Sequence, residues 1–221
     1  MNVLVVAAHA DDETLGCGGT IAKHIDSGDN VSVVFMTNGV GARVKETGSD
    51  SLERAQGAEG ALAVLGISKI YQLDFPDNRM DSVALLDVVK ALESIISDAK
   101  PSVIYTHFAG DLNVDHQVTH KAVMTSCRPQ SSCPVKEIYT FEVLSSTEWN
   151  SCTAEPFIPQ KVNDITLQWD RKLEALKHYS MEMRDAPHSR SYEAVESLAI
   201  LRGSQYSLGY AECFMVERVI S

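Results

Sequence analysis

The stretch VLVVAAHADDETLGCGG, Val3 to Gly19, decides the fold. Residues Val3 to Ala8 are apolar on consecutive positions, so a strand there has no polar face and must be covered on both sides, as a central strand of a parallel sheet is. Directly behind it, a histidine and three acidic side chains crowd into His9 to Glu13. In parallel α/β sheets the loops at the carboxyl ends of the strands form the binding crevice, above all where strand order reverses. His9, Asp11 and Asp12 therefore fall where a ligand would sit, and Thr14 with the glycines behind it turns the chain into a helix. Aspartates at a helix start are also ordinary capping residues, favoured by its positive end. Capping accounts for one of them. A histidine and two carboxylates packed together repel unless a cation compensates.

Working outward, runs rich in valine and isoleucine recur at Val31–Met36, Ile70–Leu73, Val103–Thr106 and Ile138–Val143. Between them lie segments with helical spacing, Thr14–Ser27, Ser51–Leu65 and Ser82–Ala99. This alternation predicts an α/β fold, a mostly parallel sheet with helices on both faces. In the third helix Val83, Leu85, Leu86, Val88, Val89, Leu92, Ile95 and Ile96 form a broad apolar stripe expected to be core. After about residue 145 the pattern weakens. SSTEWNSCTAEPFIPQ (145–160) reads as a polar, proline-marked excursion, followed by a helix over Ile165–Met183. RDAPHSRS (184–191) breaks the chain before a helix over Tyr192–Arg202 and a late strand of alternating exposure in AECFMVERVI. No linker separates this tail, so a single domain over 1–221 is expected: a core to about 145, then an excursion and return helices over 146–221.

Thirty acidic against nineteen basic residues give a net charge of -11, which repels phosphate backbones and anionic lipid surfaces. Nucleic acid is excluded as an expected partner. The five cysteines form no CxxC pair, an odd and scattered set that suits a reducing compartment. No apolar run approaches the roughly 20 residues of a membrane span. Nor does a basic n-region precede the first strand, so a cytoplasmic location is expected.

The second cluster is THFAGDLNVDHQVTHKAV (106–123), behind the fourth strand, with His107, Asp111, Asp115, His116 and His120. If strand order reverses between the first and fourth strands, the two clusters face each other across one crevice. Nitrogen and oxygen ligands with an open position for water form the pattern of a catalytic zinc site. His116 is the better ligand of the two helix histidines. His120 lies four residues on, on the same helical face, and is a further ligand, a supporting residue or a surface imidazole.

AHADDE followed by LGCGG, then DLNVDH at 111–116, resembles the PIG-L / LmbE-like family of zinc-dependent N-deacetylases. TNGVGAR, RAQGAEGALAVLG, FPDNRMDS and RGSQYSLGYAECF resemble further family segments in family order, so the likeness spans nearly the whole chain. It implies a Rossmann-like fold, with the metal held by His9, Asp12 and His116 and with Asp11 as general base. The implied metal is Zn2+, with Fe2+ the alternative in a reducing compartment. The implied reaction is removal of acetate from an N-acetylated amino sugar or sugar conjugate of N-acetylglucosamine type. Zinc suits it, because amide hydrolysis at neutral pH needs a nucleophile and zinc lowers the pKa of bound water to about 7.

Two positions depart from the family pattern. Its usual proline in the first motif is Ala10, which removes no ligating atom. Its common histidine three residues before the second-motif ligand is Asn113, which delivers no proton. Another donor is then needed: His188 in PHSRS is the first candidate, by likeness to members that also carry DLNxDH, and His107 the second. Asp115 and Asn113 are expected to support the ligands from behind. By alignment to the family, Arg54 and Asp81 take the places of sugar-contacting residues, although a helix arginine and a helix cap explain them equally. Arg43, Arg79, Arg190 and Arg202 are further candidates for a substrate anion. Family members often assemble, so a homo-oligomer is expected, with Phe157 and Ile158 available for an interface. The alternative activity is a metal-dependent hydratase of a small carboxylic acid. A nucleotide-binding module rests only on LGCGGT, whose spacing is not GxGxxG.

Overall fold

The strands of this chain carry two apolar faces, and both are used. The computed structural model describes residues 1–37 and 54–221 in full and the backbone of 48–53. Strands β1 (Asn2–Ala7), β2 (Asn30–Thr37), β3 (Lys69–Phe75), β4 (Val103–His107), β5 (Glu137–Phe141), β6 (Lys161–Asp164) and β7 (Ala211–Val219) form one sheet in the order β3-β2-β1-β4-β5-β7-β6. β1 pairs in parallel with β2 (Val3↔Val31) and with β4 (Val3↔Val103), so strand order reverses at β1/β4 as the crevice requires. β7 runs antiparallel between β5 and β6, which returns the tail to the same sheet. The helices are α1 (Asp12–Asp26), α2 (Gly48–Leu65), α3 (Leu85–Ala99), α4 (Val114–Ser126), α5 (Trp169–Lys177) and α6 (Tyr192–Ser204).

Alternate strand residues feed two cores, which is why the runs show no polar period. Val3, Val5, Val33 and Phe35 share one cluster with Leu15 and Ile21 of α1, Leu62 of α2, Leu176 of α5 and Val195 of α6. Leu4, Val6, Val34 and Ile104 share the other with Val88, Leu92 and Ile96 of α3 and Val123 of α4.

Several boundaries differ from expectation. α3 starts at Leu85, because Met80–Ser82 form a separate 3-10 turn. Its stripe narrows to Val88, Val89, Leu92, Ile95 and Ile96, leaving Leu86 61% exposed. The helix expected over Ile165–Met183 contracts to α5, flanked by turns at 165–168 and 176–183. β6 has a single aliphatic residue, Val162, and carries no apolar pattern to betray it. β7 alternates only in its second half, since Ala211 to Phe214 are all buried between β5 and β6.

The glycines of LGCGG serve packing. A methyl on Gly16 would come within 2.3 Å of the Phe141 ring, and one on Gly19 within 2.6 Å of Ile165. The helix breaks at Cys17 (φ -148°, ψ 23°), and the break is repaired from the tail. Glu212 of β7 accepts hydrogen bonds from Gly19 N (2.9 Å) and Thr20 N (2.7 Å), while Lys172 of α5 donates to Leu15 O (2.9 Å) and pairs with Glu212 (2.6 Å). The amides that a nucleotide phosphate would need are thus taken by a carboxylate, which removes the support for a nucleotide-binding module. Both charges are buried, so losing one strands the other. Lys172→Ala is therefore expected to destabilise the fold by about 3–5 kcal/mol, and Lys172→Ala/Glu212→Gln to recover part of that loss, as read by urea unfolding.

Candidate active site

The carboxyl ends of β1 and β4 meet at the reversal, and the loops behind them wall a cavity of about 290 Å³. Its lining includes His9, Asp11, Asp12, Arg54, Asp77, Asn78, Asn113, His116, Glu182 and Arg190. Asp12 Oδ2 lies 3.1 Å from His9 Nδ1 and 3.2 Å from His116 Nε2. These three side chains place a donor atom each within 4.8 Å of one another, from the loop behind β1 and from the first turn of α4.

Charge tests whether this donor set fits a cation. Burial works against the ionised form of His9, but hydrogen bonds with Asp115 and Asp12 and the charge of Asp12 outweigh it, holding the imidazole well above its ordinary value. For His116 burial is likewise outweighed, by the charge of Asp12 and bonds with Asp111 and Asp12, so that its pKa is pushed up to about 9. The set draws positive charge into its centre, and two imidazoles with a carboxylate suit a divalent metal of the zinc type.

The candidate ligands are held from behind. His9 Nε2 lies 3.1 Å from Asp115 Oδ2 and 3.2 Å from Asp77 Oδ1. A proton on that nitrogen leaves the Nδ1 lone pair for the cation. Asp115 is itself fixed by the amides of Asn78 (2.6 Å) and Met80 (2.9 Å) behind β3. On the other imidazole, His116 Nδ1 faces Asp111 Oδ1 at 3.2 Å. Asp111 accepts from the hydroxyls of Ser146 and Thr147 and sits at about 2, since its bonds and the charge of His116 overcome burial.

Asp11 has a different environment. Its φ of 128° is costly for a residue with a side chain, on the order of 1–3 kcal/mol, and such strain gathers at functional sites. The side chain makes no capping hydrogen bond to α1; instead Arg190 Nη1 donates to its Oδ2 at 2.8 Å. Burial raises the Asp11 carboxyl, Arg190 lowers it and Asp12 raises it, for a value of about 7.

Other expected residues are placed as follows. Arg54 lines the cavity and pairs with Glu182. Asp81 is exposed on the 3-10 turn and outside the lining, so the acidic residue that FPDNRMDS sends into the cavity is Asp77. Asn113 caps α4 by accepting from Asp115 N (2.8 Å). His107 is wholly buried, stacks on His116 with ring centroids 3.8 Å apart, and accepts from Ala8 N at Nε2 (2.8 Å). That bond occupies the nitrogen nearest Asp12, which removes His107 as a proton donor to a ligand. His188 packs edge-on against Trp149 and accepts from Arg190 N at Nδ1 (3.0 Å), outside the lining. The tail reaches the cavity with Arg190 in its place. His120 turns away towards Glu217 of β7 (3.3 Å). Arg202 pairs with Glu142, and Arg79 does not line the cavity. Arg43 lies outside the described residues.

The profile of the PIG-L family, described as GlcNAc-PI de-N-acetylase, matches residues 4–127. The chain belongs to that family. It is 31% identical to an uncharacterized deacetylase of Escherichia coli, YaiS, over 80% of this chain and 89% of that one. Among solved structures, the N,N'-diacetylchitobiose deacetylase of Pyrococcus horikoshii superposes with a TM-score of 0.78 over 98% of this chain and 83% of that one, at 23% identity. A 4-carboxy-2-hydroxymuconate hydratase of Pseudomonas putida shares the fold equally, with a TM-score of 0.77 over 100% and 99% at 24% identity. No helix among the described residues is long and apolar enough to cross a membrane.

His116→Ala is expected to abolish stoichiometric metal. Asp115→Asn should weaken metal affinity by about 10–100-fold while leaving the ligands in place. Metal analysis after dialysis against graded chelator checks both.

Proposed function

We propose that this member of the PIG-L family is a zinc-dependent N-deacetylase that releases acetate from an N-acetylated amino sugar or sugar conjugate of N-acetylglucosamine type. The observation that carries the reading is the meeting of His9, Asp12 and His116 with the Arg190-bound Asp11 in one cavity. A bound divalent cation supplies the Lewis acid that polarises the acetyl carbonyl and makes water nucleophilic near neutral pH.

The chain's own groups do the rest. Asp11 takes the proton of the attacking water, and its value of about 7 keeps it both ionised enough to accept and acidic enough to return that proton to the leaving amine. Arg190 fixes the carboxylate through Oδ2, and the Asp11 amide is held by Glu13 (3.0 Å), so the base is clamped at both ends. With Asn113 committed to its helix, the guanidinium of Arg190 is the donor that lines the cavity beside Asp11 and offsets developing negative charge. His188 supports Arg190 from outside the lining.

The shared fold of the hydratase favours a second reading, addition of water to the double bond of a small carboxylic acid on the same donor set. Acetate release from N,N'-diacetylchitobiose and other N-acetylglucosamine conjugates, by zinc-loaded and chelator-treated protein, decides between them: no acetate from any of them overturns the deacetylase reading.

Asp11→Asn is expected to retain the metal and lose at least about a hundredfold in turnover, because the amide accepts no proton. The ionised base is the active form, so activity rises with pH through the pKa of Asp11. Removing Arg190 takes away the charge that lowers it, so in Arg190→Ala the acid limb of the kcat/KM profile should move to higher pH.

A further inference from the structure

The turn that leaves α5 and ends at Met183 contributes Glu182 to the lining of the cavity. Two glycines of α2 admit this turn at backbone distance. A methyl on Gly57 would lie 2.6 Å from His178 O, and one on Gly60 would lie 2.3 Å from His178 Nδ1. The turn is tied down by Glu182 N donating to Tyr179 O (2.8 Å), and Tyr179 OH donates to Glu13 (2.8 Å) beside the acidic motif. Glu182 is thereby set against Arg54, with Nε 3.2 Å from Oε1 and both side chains lining the cavity.

The consequence is electrostatic. Among the described residues, the lining carries four carboxylates, Asp11, Asp12, Asp77 and Glu182, against two guanidiniums, Arg54 and Arg190. Each guanidinium faces a carboxylate of the protein's own, Arg54 facing Glu182 and Arg190 facing Asp11. With a divalent cation bound and Asp11 ionised, the charges of these described residues balance, and a phosphate or carboxylate on a ligand competes with Glu182 for Arg54.

We propose that Glu182 is a specificity-determining residue which, by occupying Arg54, makes the cavity select amino sugars that carry no anionic group over phosphorylated or carboxylated ones. The proposal rests on the deacetylase reading for its substrate class, while the charge filter itself is read by binding alone. Glucosamine, glucosamine 1-phosphate and glucosamine 6-phosphate are titrated calorimetrically into zinc-loaded wild type, Glu182→Gln, Glu182→Ala and the double variant Glu182→Gln/Arg54→Gln. Circular dichroism and metal content confirm that each variant is folded and loaded, and the alanine variant guards against the glutamine amide still engaging Arg54. Wild type should bind glucosamine no more weakly than either phosphate ester. Removing the Glu182 charge should tighten at least one ester by about tenfold or more while changing glucosamine by less than about threefold, and the double variant should lose the gain. A wild-type preference for an ester, no gain in either Glu182 variant, or a gain that survives loss of Arg54 overturns the proposal. Acetate release from N,N'-diacetylchitobiose, measured on the same wild-type preparation, tests the deacetylase reading separately. An ester gain without acetate release supports the filter and removes the deacetylation.

Discussion

The placement of one carboxylate, that of Asp12, conditions the rest of the site. Its Oδ2 stands between imidazoles contributed by two segments about a hundred residues apart in sequence, which only the reversal of strand order between β1 and β4 brings together. It is almost fully buried, and burial alone would neutralise it. The charge of His116 and the bonds with His116 and His9 outweigh burial and keep it ionised. A buried anion with converging nitrogen donors is costly unless positive charge is shared among them, and a divalent cation meets that demand most directly.

Asp11 and Asp12 are neighbours in sequence and opposites in chemistry. The positive φ at Asp11 turns its side chain towards the tail, while Asp12 turns towards the imidazoles. Two adjacent carboxylates therefore titrate in opposite directions, one raised to about 7 and the other held well below the usual range. Such a split suits a single loop to offer both a candidate ligand and a candidate proton acceptor. The α1 N-terminus does not need either as a side-chain cap, because Glu13 holds the Asp11 amide and the Asp11 carbonyl accepts from Thr14 and Leu15.

Much of this was legible in the sequence. The unbroken apolar run Val3–Ala8 revealed a strand covered on both faces, and the charge crowded into His9–Glu13 revealed the crevice. The expectation that β1 and β4 flank the reversal is met. What was not legible depends on tertiary direction. Asp77 lies in a PDN turn that sequence reads as a connection, yet it stands at the carboxyl end of β3 on the same crest as the ligands. That position, on a loop following a parallel strand, was the signal available for it. By composition His107 is a candidate proton donor and His120 a candidate further ligand, but the strand buries one against Ala8 and the helix carries the other round to β7. β6 has no apolar period, being half-buried throughout at the edge of the sheet, and only its pairing with β7 defines it.

The C-terminal segment joins stability to chemistry. The family profile ends at residue 127, yet Arg190, Glu182 and the Lys172–Glu212 pair all come from beyond it. Lys172 and Glu212 repair the broken first helix from one side, and that helix presents Asp11 and Asp12 at its start. Arg190 and Glu182 then reach the cavity from the turns on either side of Asp185, on a backbone anchored to Glu13 through Tyr179. The donor set is thus built by the part of the chain that matches the profile, while Glu182 and Arg190, which pair with Arg54 and Asp11, come from the part that does not. The candidate metal ligands can accordingly persist while the tail changes the charge beside them.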